Sequence, residues 1–203
     1  MKTPVFLTED LYICGGTHKK VFIHPQADDL CIKIPHTTND IDLKRELTYR
    51  KILSLKQDDK EMLPKYYGTI QTNLGKGFVF ERIKDYDNST SQDFEAFIKT
   101  IPPTQDGLLF LKKVLQSFKK LYFQQNIVTS DIDPGNMVLQ KTSPTSFTIK
   151  IVDNIGSPVL IPLEYISNYF LRRKTQRYYA RFLRNLSRKF PEIFTPDFIN
   201  DIK

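Results

Sequence analysis

Apolar and polar positions change their rhythm about a third of the way along the chain. The early part reads in short strand-type runs, expected at residues 5–13, 21–24 and 30–34. Gly15-Gly16-Thr17 and residues 25–29 supply the turns between them. A helix is expected over residues 40–55, where Leu43, Leu47, Ile52 and Leu55 recur near helical spacing and Asn39 or Asp40 stands in the cap position. Runs at 63–71 and 77–82, joined by Thr72-Asn73-Leu74-Gly75, bring the expected strands to five.

From Ser91 onward the spacing is helical. Phe94, Phe97 and Ile98 predict a short helix stopped by Pro102-Pro103. Residues 108–125 carry the strongest apolar stripe, Leu108, Leu111, Val114, Leu115, Phe118, Leu121 and Tyr122. Two short strands, 137–140 and 148–152, then flank a polar connection rich in Ser, Thr and Pro, which reads as a hairpin. The last segment is basic. Arg172, Arg173, Lys174, Arg177, Arg181, Arg184, Arg188 and Lys189 have no acid among them, and Tyr169, Phe170, Tyr179, Phe182, Leu183 and Leu186 recur between them. That pattern predicts an amphipathic helix with a packed stripe and a cationic face.

The 203 residues suffice for one α+β domain with a substantial core, expected as two parts, 1–84 and 85–203. No apolar run is long enough to cross a bilayer, and the first residues lack a signal-peptide pattern. The only two cysteines, Cys14 and Cys31, form no metal-ligand spacing, so a reduced, cytoplasmic protein is expected. The net charge of +7 and the density of arginines from Arg172 to Lys189 point to an anionic partner. An acidic glycan, a membrane surface and nucleic acid all satisfy that reading.

The chemistry concentrates around the hairpin. Asp131 and Asn136 precede its first strand and Asp153 follows its second, so folding brings Asn136 and Asp153 to one end. Hard oxygen ligands beside a further carboxylate are what magnesium-assisted phosphoryl transfer requires. Lys33 sits inside an apolar run and needs a partner there. Glu46, on or next to the apolar face of the 40–55 helix, is the chosen one.

An Asp followed five positions later by an Asn, then a hairpin and an Asp-containing turn, resembles the catalytic loop and metal-binding turn of the protein-kinase-like fold. The wording Asp131-Ile132-Asp133-Pro134-Gly135-Asn136 is nearer to aminoglycoside- and choline-type kinases, and the whole chain looks most like the YrbL family of small bacterial kinase-like proteins. The resemblance implies a two-lobed fold. Its amino-terminal lobe would hold a five-stranded antiparallel sheet plus one helix, and its carboxy-terminal lobe would be reduced and mostly helical. It also implies ATP and magnesium as ligands, with Asp131 acting on the acceptor hydroxyl and Asn136 and Asp153 holding the metal. Lys33, fixed by Glu46, would meet the phosphates. Gly15 and Gly16 would cover them, and the hinge near Glu81 would receive the adenine.

Departures from the pattern bear on the substrate. Thr129-Ser130 replace the usual residues before the loop, and Asn154-Ile155 put an additional residue between Asp153 and Gly156. Fewer than fifty residues follow Gly156, too few for a protein-substrate platform. The expected activity is therefore phosphoryl transfer to a small molecule, glycan or lipid. The alternative is a catalytically weak pseudokinase that senses nucleotide or regulates through its anionic partner, or a basic nucleic-acid-binding module without a nucleotide pocket.

Overall fold

The computed structural model describes residues 4–16, 18–37, 40–159 and 161–203, so Thr17 of the first turn and Asn39 as a cap lie outside the described residues. Strands β1 (Tyr12–Gly15), β2 (Lys19–His24), β3 (Ala27–Pro35), β4 (Tyr66–Thr72) and β5 (Gly75–Glu81) form an antiparallel sheet in the order β1-β2-β3-β5-β4. Helix α1 (Ile41–Leu55) follows β3, and the Asp40 side chain caps it by accepting from the Leu43 amide at 3.0 Å.

Strand β3 lies at the centre of the sheet, with Lys33 opposite Val21 on one side and Phe78 on the other. Cys31 to Ile34 are all buried, because both faces of the strand are covered. Ile32 and Ile34 pack with Leu7, Phe22 and Val79, whereas Cys31 packs with Leu43 and Phe80 toward α1. Side chains alternate along a strand, so Lys33 shares the α1 side with Cys31.

The rest of the chain is built on β6 (Gln92–Asp93), α2 (Phe94–Thr100), α3 (Gln105–Gln125), β7 (Met137–Ser143), β8 (Ser146–Ile151), α4 (Asn168–Lys189) and α5 (Pro196–Ile202). The β7–β8 hairpin, with β6 on its edge, makes a second, three-stranded sheet. Leu111, Leu115, Phe118 and Tyr122 of α3 share one core with Phe182 and Leu186 of α4 and with Met137, Leu139, Ile149 and Ile151 of the hairpin. Asn126 ends α3 in the left-handed region (φ 47°) and turns the chain directly into residues 127–136.

Several expected boundaries shift. The run 5–13 is not one strand: Val5 makes a single bridge to Thr72, residues Glu9–Leu11 form a 3-10 turn, and pairing begins only at Tyr12. The Asn73 side chain holds this arm by accepting from the Leu7 amide at 2.8 Å. The turn expected at 25–29 shrinks, since Ala27 already pairs with His24. The hairpin connection tightens in the same way to a turn between Ser143 and Ser146. Strand 63–71 starts later, at Tyr66, and β6 and α5 carried no pattern long enough to be foreseen.

Candidate functional site

Lys33 is the one cation in the buried run of β3. Its ammonium lies 3.6 Å from Glu46 Oε2, and both side chains are almost wholly buried. Burial in this setting depresses the lysine below its ordinary value, and the nearby Glu46 charge opposes that shift. The same ammonium donates to the Val152 carbonyl at 2.7 Å and stands 4.2 Å above the Phe80 ring. Glu46 is shared. Its Oε1 accepts from Arg50 Nε at 2.9 Å and from Nη2 at 2.6 Å, while Arg50 Nη1 donates to the Pro64 carbonyl at 2.6 Å. Arg50 was missed from sequence, although its position four residues after Glu46 on one helix is the spacing that brings such pairs together.

The residues around Asp131 and Asp153 are joined by a short piece of backbone pairing. Ser130 N donates to Asn154 O at 2.7 Å, and Gly156 N donates to Val128 O at 2.8 Å, with Thr129 and Ile155 bridged between them. On the hairpin side, Val152 N donates to the Asn136 carbonyl at 2.9 Å. Asn136 and Asp153 thus stand at the same open end of the hairpin. Gly156 has φ +97°, and a Cβ there would stand 2.8 Å from the Arg45 carbonyl, so only glycine lets α1 approach this closely. Tyr49 of α1 completes the junction by accepting from the Val128 amide at 3.2 Å.

Asp153 carries an ion pair with Lys19, from the start of β2. Burial raises this carboxyl, but the charges of Lys19 and Lys33 and the hydrogen bonds from Lys19 and Asn154 outweigh it and hold Asp153 below its ordinary value. The contact of Lys19 with Asp153 across the chain could not be read from spacing.

Gly15, Gly16, Lys33, Glu81, Asn136 and Asp153 all line one cleft of about 760 Å³, with Ile13, Val21, Ile83 and Val138 among its apolar walls. Glu46 stands behind Lys33, and Glu81 turns its carboxylate to the Lys65 amide at 3.0 Å. Asp131 does not line the cleft; its Oδ1 lies 3.8 Å from Arg181 Nε of α4. Cys14 and Cys31 line it too, but burial pushes Cys31 up to about 11, which keeps it a thiol at neutral pH and a poor nucleophile.

A family model described as PhoP regulatory network protein YrbL matches residues 5–187. The chain belongs to the YrbL family. Curated relatives named "Uncharacterized protein YrbL" from Escherichia coli (strain K12) and Shigella flexneri are each 31% identical over 180 residues, covering 87% of this chain and 85% of the relative. The matched span takes in every site residue named above and the whole cationic run except Arg188 and Lys189.

Helix α4 of this YrbL-family chain departs from the expected division into packed stripe and cationic face. Lys174 is buried and ion-paired with Glu164, and it donates to Ser157 Oγ at 2.9 Å. Lys189 reaches Asp133 at 2.7 Å and Glu95 at 3.0 Å. Tyr169 and Phe170 are exposed, whereas Tyr178, Tyr179, Phe182, Leu183 and Leu186 form the packed side. No helix among the described residues is long and apolar enough to cross a membrane.

Proposed function

We propose that this chain is a two-lobed, kinase-like protein that binds ATP with magnesium and transfers a phosphoryl group to a hydroxyl of a non-protein acceptor. The observation that carries this reading is the buried Lys33–Glu46 pair beside a cleft lined by Lys33, Asn136 and Asp153. A buried ion pair is costly to assemble, and one that presents its cation beside a carboxylate and an amide oxygen suits a polyphosphate ligand.

The donor set fits magnesium. Among the described residues no cluster of three or more His, Cys, Asp or Glu side chains makes a dedicated metal cage. A single carboxylate with an amide oxygen, leaving other positions to phosphates and water, is the usual arrangement for this ion. Bound there, magnesium would supply charge neutralisation to the transferred phosphoryl group. Asp153 and Asn136 would hold it. Lys33, kept in place by Glu46 and by the Val152 carbonyl, would orient and neutralise the phosphates. Ile13, Val21, Ile83 and Val138 offer an apolar wall for a base. Asp131, half-exposed beyond the backbone pairing, would orient or deprotonate the acceptor hydroxyl.

One observation favours a second reading, in which the chain senses nucleotide with little chemistry: Asp153 already holds the Lys19 ammonium. Calorimetric titration of ATP with and without magnesium, on wild type and Asp153→Ala, tests the proposal. Magnesium-dependent affinity that is lost in a folded Asp153→Ala variant is expected. Equal affinity in both proteins would remove Asp153 from the site.

A further inference from the structure

Between Ile155 and α4 several apolar side chains turn outward. Ile161 is 72% exposed and Ile166 83%, with Val159 and Leu163 also exposed. The first turn of α4 adds Tyr169, 61% exposed, and Phe170, their rings 5.5 Å apart and edge-on. So many large apolar groups in water within a short stretch is unusual for a surface with no partner.

The base of this segment is firmly held. Lys174 binds Glu164 and Ser157 from the buried side of α4. The Ser157 amide donates to the Tyr165 hydroxyl at 2.8 Å, and the Tyr165 ring stacks on Tyr49 at 5.4 Å. A buried ion pair and these hydrogen bonds fix Ser157, Glu164 and Tyr165 while Val159, Ile161, Leu163 and Ile166 stay outside, so their exposure is built into the fold.

The exposed charge along this stretch of chain has one sign. From Val159 to Lys189 the only acid is Glu164, and that one is buried on Lys174. Arg172, Arg173 and Arg177 are exposed, and Arg173 lies on the same flank as Tyr169, to whose hydroxyl it donates at 3.0 Å. We infer that Val159, Ile161, Leu163 and Ile166, together with the first turns of α4, form a docking surface for an anionic lipid bilayer. Such a bilayer offers an apolar interior beneath a negative surface, and so takes the aliphatic tips and the arginines together. The inference stands apart from phosphoryl transfer, since none of these residues lines the cleft.

Vesicle flotation with phosphatidylcholine alone and with added phosphatidylglycerol tests it, on the full chain. Wild type is expected to float with the anionic vesicles only, and less as salt rises. Ile161→Ser/Ile166→Ser should weaken binding about tenfold or more. Arg172→Gln/Arg173→Gln/Arg177→Gln should weaken it on the order of a hundredfold. All these groups are exposed, so both variants should keep the wild-type melting temperature. Absence of flotation would overturn the inference, as would flotation unchanged in the Ile161→Ser/Ile166→Ser variant. A concentration-dependent dimer on size exclusion, abolished by the same variant and without vesicle binding, would assign the surface to a second copy instead. ATP titration of the variants separates the two proposals, because the cleft should be unaffected whichever way flotation falls.

Discussion

Lys19, at the start of β2, places its ammonium on Oδ1 of Asp153, which lies 134 residues further along the chain. The contact ties the first hairpin of the larger sheet to the turn after β8. It also keeps a partly buried carboxylate ionised, against the desolvation that would protonate it. Since the folded-state value of Asp153 is depressed below 3.8, the group contributes stability above that value and loses it as pH falls through the depressed one.

Replacing Lys19 by Met removes the nearest cation, so burial then gains on the remaining Lys33 charge. Lys19→Met should be less stable than wild type near neutrality, and the gap should narrow as pH falls through the carboxylate range, where Asp153 becomes protonated in both proteins. Melting curves recorded from neutral pH down through the carboxylate range check this; equal melting temperatures at neutral pH would mean that the ion pair carries no weight in solution.

Glu46 serves two cations, and its loss should be worse than the loss of either. Glu46→Ala leaves Lys33 and Arg50 without their shared carboxylate, at a cost of about 3–5 kcal/mol. Lys33→Met leaves Glu46 with both of its Arg50 hydrogen bonds and should cost roughly 0–2 kcal/mol, while abolishing nucleotide binding. Urea unfolding of the two variants gives the order, and the reverse order would show that Arg50 does not hold Glu46.

Gly156→Ala forces a side chain into the left-handed region and against the Arg45 carbonyl. The strain should cost about 1–3 kcal/mol before any clash is counted. Hydrogen exchange should report the damage at the Ser130 and Gly156 amides, whose bonds join the two segments. Unchanged protection there would place the strain elsewhere.

Asp131→Asn separates chemistry from binding. The variant should keep ATP affinity and lose turnover by on the order of a hundredfold or more, read as phosphate release or transfer across hydroxyl acceptors. Equal rates would exclude Asp131 as the group that acts on the hydroxyl. Arg181→Gln, which removes the cation 3.8 Å away, should change turnover rather than ATP affinity.

The succession of strands, α1, the long α3 and the hairpin was legible because each is periodic over its own length, and periodicity is a local property. Lys33 stood out for the same reason: a charge within an apolar run announces that it needs a partner. Glu46 could be named because helical spacing limited the choices on one face. Spacing could not show that Lys19 closes on Asp153 or that Asp131 faces Arg181 outside the cleft. Each of those contacts joins segments whose relative placement is set by core packing, not by their own residues. Helix α4 makes the point most fully. Its composition announced a cationic helix, but only the packed structure decided that Lys174 turns inward to Glu164 while Tyr169 and Phe170 turn out. An amphipathic pattern specifies that one side is buried; which residues at its margins are covered depends on what the neighbouring segments bring against it.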